Sequence, residues 1–179
     1  EICYTCLGNF CYDNKLYDKA IEYYEKALKI RLDDAKSSQD VANLYNDLGD
    51  SYRESRQSDK AIEHYEKALK IRLSFFGINH SDVAWSYHNL GNFYRNNKQY
   101  DKAIEYYEKA LQIRKELFGD TDKSVGTSNW NLGISFENKK EMKTALKCYK
   151  EAYKICSKIL GESHAETIKA KTKVREMGG

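Results

Sequence analysis

One stretch of sequence recurs along this 179-residue chain at a nearly constant interval. Residues 18–32 read DKAIEYYEKALKIRL, close copies occupy residues 59–73 and 101–115, and a weaker copy covers residues 143–157. Ahead of each copy lies a Leu-Gly pair, and the four glycines, spaced 41 or 42 residues apart, are Gly8, Gly49, Gly91 and Gly133. A fixed period of this length is typical of a repeat protein, in which each unit buries its apolar face against its neighbours.

Each unit is predicted to contain two helices. In the second unit Tyr45, Leu48 and Tyr52 fall at helical spacing on one face of the first helix. After a short polar turn, Tyr65 and Ala68 fall at helical spacing on one face of the second helix. Such a turn is too short for anything but an antiparallel helix pair. Strand patterning is absent from the sequence, so we predict an all-α fold.

The repeated glycines also need an explanation. Glycine inside a helix costs about 1 kcal/mol relative to alanine, so close approach of the paired helix is the simplest reason for keeping it. The matching small surface is expected from Ala20, Ala61, Ala103 and Ala145. A second set of glycines is predicted to end the second helices in a left-handed conformation, and its members are Gly77, Gly119 and Gly161.

The period divides the chain into four units and a terminal helix. The predicted units are residues 1–35, 36–77, 78–119 and 120–161. Residues 162–179 are predicted to form a C-terminal capping helix with Ile168 and Val174 on its one apolar face. Because the chain begins at Glu1 rather than Met, we expect it to be part of a longer polypeptide.

Composition excludes several classes of protein. Apolar residues make up 41% of the chain, enough for a core, which argues against long-range disorder. No stretch approaches the 18 uncharged apolar residues of a membrane span, and no secretory signal is present. The five cysteines are an odd number, so we expect reduced thiols in the cytoplasm rather than a disulfide framework.

The alternation of small and large residues, as in Leu7, Gly8 and Tyr24, resembles the tetratricopeptide repeat (TPR). The 42-residue variant, with Ile71-Arg72-Leu73, Phe76-Gly77, His80, Val83-Ala84 and Asn89-Leu90-Gly91, resembles the repeats of kinesin light chains, and the resemblance covers about residues 1–160. It implies a right-handed superhelical TPR solenoid of antiparallel helix pairs, with the first helix of each unit lining the concave side. It also implies a non-catalytic adaptor or scaffold that binds a segment of a partner protein.

The face of each first helix opposite the Leu-Gly positions differs from unit to unit, whereas the buried positions barely change. A face that only needed to be soluble would carry Lys and Glu, but this one is rich in asparagine. We predict that a peptide-binding groove is formed by Asn9, Tyr12, Asn46, Asp50, Arg53, Trp85, His88, Asn89, Asn92, Arg95, Trp130 and Asn131. The same face also presents Asn43, Asp47, Ile134 and Glu137.

Each residue type on this face has a plausible binding role. Asparagine carries donors and an acceptor, so it can hold a peptide backbone without reading its sequence. Arg53 and Arg95 can grip a carboxylate, and Trp85 and Trp130 can receive an apolar side chain. In the alternative interpretation the tryptophans pack between adjacent repeats and the asparagines cap or bridge neighbouring helices.

The sequence offers little support for chemistry of other kinds. Cys3 and Cys6 have a spacing that suits a metal, but no histidine follows at ligand distance, so we interpret them as small buried residues. With no phosphate loop and no catalytic pairing of side chains, we predict no enzyme activity, no cofactor and no metal. Residues 139–179 carry 11 basic and 5 acidic residues but contain no recognised nucleic-acid-binding module. A lysine-rich capping surface is therefore favoured over a nucleic-acid site.

Two functions fit the pattern. The first is an interaction module for a partner protein or peptide, used either for cargo attachment or to regulate an attached catalytic domain. The alternative is a structural or self-associating repeat arm of a larger multidomain signalling protein.

Overall fold

The computed structural model describes residues 3–34 and 38–178 of the chain. All regular structure in these residues is α-helical, as predicted. The helices are α1 (Tyr4–Asp13), α2 (Tyr17–Asp34), α3 (Ser38–Glu54), α4 (Ser58–Phe76), α5 (Ser81–Asn96), α6 (Tyr100–Phe118), α7 (Lys123–Asn138), α8 (Met142–Leu160) and α9 (Ala165–Gly178). Within the described ranges, no helix is long and apolar enough to cross a bilayer.

The helices form two compact units, residues 1–78 and 79–179. In the first unit α1 packs on α2, α2 on α3, and α3 on α4. In the second unit α5 packs on α6, α6 on α7, α7 on α8, and α8 on α9. Each odd-numbered helix from α1 to α7 reaches its partner through a three-residue turn, so the pair runs antiparallel. The predicted boundary between residues 35 and 36 lies outside the described residues.

Each of these three-residue turns contains a non-glycine residue with a left-handed backbone. The residues and their φ angles are Lys15 (60°), Arg56 (64°), Lys98 (59°) and Lys140 (67°). The next residue closes the turn: the Gln99 amide donates to the Tyr94 carbonyl at 2.9 Å, and Gln57 donates to Tyr52 at 2.8 Å. This is the hydrogen-bond pattern of a Schellman motif, which ends one helix and starts the next.

The glycines after the second helices have the positive φ that the sequence predicts. Their φ angles are 74° for Gly77, 81° for Gly119 and 82° for Gly161. Their ψ angles differ from the left-handed helical value that we expected, because they are −177°, 167° and 164°. Only glycine adopts this extended, positive-φ region without strain.

The glycines within the first helices are in close contact with the paired second helix, as predicted, but the contacting residue is a tyrosine. A Cβ at Gly91 would lie 2.7 Å from Cδ1 of Tyr107, and one at Gly49 would lie 2.8 Å from Cδ1 of Tyr65. The expectation that alanines supply this surface is therefore wrong. The alanines, such as Ala103, are fully buried in the same core, but the ring needs the space that glycine leaves.

The structure pairs Cys3 with Cys6 in a disulfide. The two residues are three positions apart at the start of α1 and their Cα atoms are 5.3 Å apart, within the range that a disulfide spans. The expectation that these two cysteines are reduced is wrong, because one helical turn brings their side chains together. The expectation that they are buried is also wrong, because both are exposed. Cys11, Cys148 and Cys156 are free thiols.

Candidate functional site

The twelve predicted groove residues lie on the first helices of the pairs. In the first unit, α1 and α3 carry Asn9, Tyr12, Asn46, Asp50 and Arg53. In the second unit, α5 and α7 carry Trp85, His88, Asn89, Asn92, Arg95, Trp130 and Asn131. We call these two sets the first-unit face and the second-unit face.

Asp50 is the centre of a hydrogen-bond network on the first-unit face. Its carboxylate accepts the Tyr65 hydroxyl at 2.7 Å, the Asn46 amide at 3.1 Å and the Arg53 guanidinium at 3.5 Å. Burial nevertheless raises the pKa of Asp50, and these hydrogen bonds from Tyr65 and Arg53 oppose that rise. Asn46 is only 1% exposed, so its side chain supports the network from beneath the surface.

Arg53 and Tyr12 complete this face. The Arg53 guanidinium also pairs with Glu54 at 2.8 Å, so two carboxylates hold it in place. Tyr12 is half-buried and meets the ring of Tyr17 edge-on at 5.6 Å. Burial, followed by the charge of Asp50, raises the pKa of Tyr12 to about 12, so its hydroxyl stays protonated at neutral pH.

Arg95 connects two first helices of the second unit. Its guanidinium donates to Asn131 on α7 at 2.8 Å and to Asn92 on α5 at 3.3 Å. It also lies 5.8 Å from the centre of the Tyr107 ring, whose hydroxyl donates to Asn92 at 2.7 Å. Asparagines therefore bridge neighbouring helices here, as in the alternative interpretation, and the same hydrogen bonds fix Arg95 in place.

His88 is neutral at physiological pH. Burial first, and then the charges of Arg114 and Arg95, lower its pKa to about 4. Its ring lies 5.5 Å from that of Tyr107, and in the described residues its buried Nδ1 has no hydrogen-bond partner. Asn89, one residue further along α5, is half-buried.

The two tryptophans differ in environment. Trp85 is 41% exposed, which makes it the more accessible of the pair. Trp130 is half-buried, lies 4.9 Å from the ring of Tyr149 and has the Lys169 ammonium 5.0 Å from its ring centre. It lines two cavities of about 210 Å³ and 460 Å³ that also contact α9, and Ala152 lines the smaller one.

Helix α9 contributes to the second-unit face, whereas its sequence predicts only a capping role. Lys173 donates to Glu137 at 2.6 Å, and Lys169 covers Trp130. The period itself contains the signal for this contact, because Lys173 is one repeat of 42 residues beyond Asn131. At the basic end, Lys139, Lys171 and Lys173 form ion pairs, the first of them with Asp101 at 2.8 Å.

No group of three or more metal-ligating side chains converges anywhere in the described residues. The titratable groups on both faces are instead engaged with tyrosines, asparagines and arginines. The arrangement offers fixed donors, acceptors and one exposed indole, which suit non-covalent recognition of another molecule.

Comparison with known proteins adds a family and a fold. A tetratricopeptide repeat model matches residues 2–74 and 82–158, and a second model of the same description matches residues 46–116. A comparison with curated proteins finds no match.

Several solved structures share the fold. BtubC (BKLC) from P. vanneervenii superposes with a TM-score of 0.85 at 23% identity, over 97% of this chain and 70% of that one. A putative kinesin light chain from Podosopora anserina, with nearly identical TPR-like repeats, gives 0.83 at 19% identity, over 97% and 83%. The apo form of RapI gives 0.82 at 20% identity, over 97% and 46%. These structures bear out the predicted TPR solenoid fold and its likeness to kinesin light chains.

Proposed function

This chain belongs to the tetratricopeptide repeat family, and on that premise we propose that it is a non-catalytic module that binds a segment of a partner protein. The segment binds to the first helices, through the residues of the first-unit face or through those of the second-unit face. Repeats of this family generally serve as scaffolds for protein–protein interaction rather than as enzymes. We place the module in the cytoplasm, the compartment that its three free thiols favour and its Cys3–Cys6 disulfide does not.

The orientation of three asparagines carries this proposal. Asn9 accepts the Tyr24 hydroxyl, Asn92 accepts from Tyr107, and Asn131 accepts from Arg95, so each uses its side-chain oxygen inside the protein. In the described part of the chain, none of their NH₂ groups donates a hydrogen bond to the protein. An amide fixed by its oxygen leaves two donors for the carbonyl groups of an incoming peptide backbone.

The internal bonds also favour binding through preorganisation. A side chain that is already held in one rotamer loses little entropy when a ligand arrives, and this loss otherwise costs about 0.5–1.5 kcal/mol for each flexible side chain. Arg95 is held by two asparagines, and Trp85 offers an exposed apolar surface on the same helix. The second-unit face therefore combines fixed polar groups with one accessible indole.

Selection from a random dodecapeptide display library, with the 179-residue chain as bait, tests the proposal. We expect selected peptides to lose at least tenfold in affinity with Asn131→Ala, and likewise with Arg53→Glu combined with Arg95→Glu. Lys109→Ala, on the solvated face of α6 where Lys109 pairs with Glu105, is the matched control and should bind normally. Peptides that bind all these variants equally well would exclude this groove as the binding site.

One observation favours self-association as a second candidate function. Leu7 and Phe10 of α1 are 37% and 64% exposed, whereas the corresponding residues Leu90 and Phe93 of α5 are 0% and 4% exposed. An exposed apolar face of this kind is a common protein contact. Sedimentation across a concentration range tests it with Phe10→Ser, which copies Ser51 from the same repeat position. A wild-type chain that stays monomeric throughout counts against this candidate.

A further inference from the structure

A cross-repeat bond recurs between neighbouring first helices of the second unit. Arg95 of α5 donates to Asn131 of α7, and Lys173 of α9 donates to Glu137 of α7. Both pairs are separated by 36 residues, and both join the same two repeat positions of consecutive units. The bond thus ties the end of one first helix to the middle of the next.

In the first unit the same two positions are held by Tyr12 of α1 and Asp47 of α3. These residues are one repeat before Arg53 and Asn89, as the 41- and 42-residue spacings show. Tyr12 cannot supply the positive charge that Arg95 and Lys173 supply. Asp47, on α3, makes no side-chain hydrogen bond or ion pair with any residue in the described parts of the chain.

The surroundings of Asp47 do not compensate for its charge. Asp47 is half-buried, and its neighbour Asp50 already accepts three donors. Arg72 is buried and donates to Asn43 at 2.8 Å. Burial first, and then repulsion from Asp50, raise the pKa of Asp47 to about 6, with Arg72 opposing the rise only in part.

The fold does not require a carboxylate at this position. The equivalent residues in the next two units are Asn89 and Asn131, which are nearly isosteric with aspartate and uncharged. An unpaired, half-buried carboxylate disfavours folding, so its presence calls for a reason outside the packing of the helices. A cation brought by another molecule would supply the missing half of the cross-repeat pair.

We propose that Asp47 binds a lysine or arginine side chain of the partner segment. This inference rests on the proposed function, because it concerns the same groove. Arg53 is already paired with Asp50 and Glu54, so the local charge on this face stays negative and complements a cation. A charge-assisted hydrogen bond to Asp47 is stronger than a neutral one, and the half-buried site screens it less than bulk water.

The test compares two baits in the same random dodecapeptide selection. We expect peptides selected on the wild-type chain to be enriched in Lys or Arg at one position, and those selected on Asp47→Asn to lack that enrichment. For one selected peptide, fluorescence anisotropy should show about tenfold to hundredfold weaker binding to Asp47→Asn. The same peptide with its cation changed to glutamine should bind both proteins equally. Asp18→Asn, which removes an exposed charge at the start of α2, is the matched control.

The outcomes separate this inference from the function beneath it. Groove-dependent peptides with no cationic preference, or equal binding of the selected peptide to wild type and Asp47→Asn, overturn the role of Asp47 and leave the binding module intact. Peptides that ignore the groove variants overturn both. Thermal unfolding of Asp47→Asn establishes that its fold is retained, which we expect because asparagine occupies this position in other units.

Discussion

The ring of Tyr107 lies directly against the backbone of Gly91, so that a Cβ at position 91 would come within 2.7 Å of ring atoms Cδ1 and Cε1. The hydroxyl of the same ring donates to Asn92, the next residue after the glycine. Tyr24 bonds Asn9 beside Gly8, and Tyr65 bonds Asp50 beside Gly49, in the same way. The same tyrosine therefore packs the two helices together and orients a groove residue.

Gly91→Ala is expected to destabilise the protein. The added Cβ cannot fit without moving the buried Tyr107 ring, and overpacking of this kind costs about 1–3 kcal/mol. The better helix propensity of alanine offsets at most about 1 kcal/mol of that. Urea unfolding followed by circular dichroism measures the difference, which should appear as a lower midpoint.

Gly126→Ala is the matched control for this change. It is also a buried helical glycine, but its added Cβ would meet Cγ2 and Cβ of Ile155, at 3.1 and 3.5 Å. We expect it to be close to neutral, because the gain in propensity balances a milder contact. If Gly91→Ala proved as stable as Gly126→Ala, the tyrosine contact would not be the reason for the repeated glycine.

Gly119→Ala is expected to destabilise through the backbone alone. An added Cβ there has nothing within 4 Å, but φ is 81° and ψ is 167°. A side chain in that region costs about 1–3 kcal/mol. Differential scanning calorimetry should show a lower Tm.

Lys98→Gly tests the same principle in the opposite direction. Lys98 has φ of 59° without being glycine, so glycine removes the strain while increasing the entropy of the unfolded chain. The two effects are similar in size, and we expect a change within about 0.5 kcal/mol. A large loss of stability in Lys98→Gly would show that its side chain, rather than its backbone, matters to the turn.

The sequence could predict which residues recur with the period and could not predict every structural role that they take. Gly119 and its counterparts were assigned positive φ because glycine alone tolerates it, but Lys98 carries no such signature. Small residues are expected to pack against small ones, so the sequence predicts alanines opposite the repeated glycines, where the structure has Tyr107.

The hydrogen bonds among the candidate residues could not be predicted from the sequence. The bond from Arg95 to Asn131 joins residues 36 positions apart, and no local pattern encodes which side chains will meet. Burial of Asn46 likewise depends on packing between neighbouring helices. The contact of Lys173 could have been predicted, because Lys173 lies one repeat beyond Asn131. The high lysine content of α9 instead suggested a helix whose outer face is purely solvated.

Asp47→Asn is expected to stabilise the chain at neutral pH and not in acid. The folded pKa of about 6 lies above the ordinary 3.8, so between these values the folded state keeps a proton that the unfolded state releases. Wild-type stability therefore falls as the pH rises from about 4 to 6, and asparagine avoids this loss. We expect a gain of about 1–2 kcal/mol at pH 7.5, measured by urea unfolding.

The same measurement at pH 3 provides the internal control, because Asp47 is then largely protonated in both states and the gain should nearly vanish. Asp18→Asn should change little at either pH, since its side chain is exposed. An equal gain for Asp47→Asn at both pH values would mean that burial of the charge is not its cause.

His88→Leu is expected to change stability in the opposite sense with pH. The folded pKa of about 4 lies below the ordinary 6.5, so between these values the unfolded state binds a proton that the folded state does not bind. Wild-type stability is full above pH 6.5 and is lost as the pH falls toward 4, by about 2 kcal/mol. Removing the imidazole should abolish that part of the acid loss. Leucine also removes the unpaired Nδ1, and it should be tolerated beside the Tyr107 ring. Unfolding midpoints at pH 7.5 and 4.5 measure the change in stability.

NMR titration of the His88 imidazole checks its pKa directly. A His88 resonance that titrates near 6.5 would show that burial and the nearby arginines do not hold it neutral.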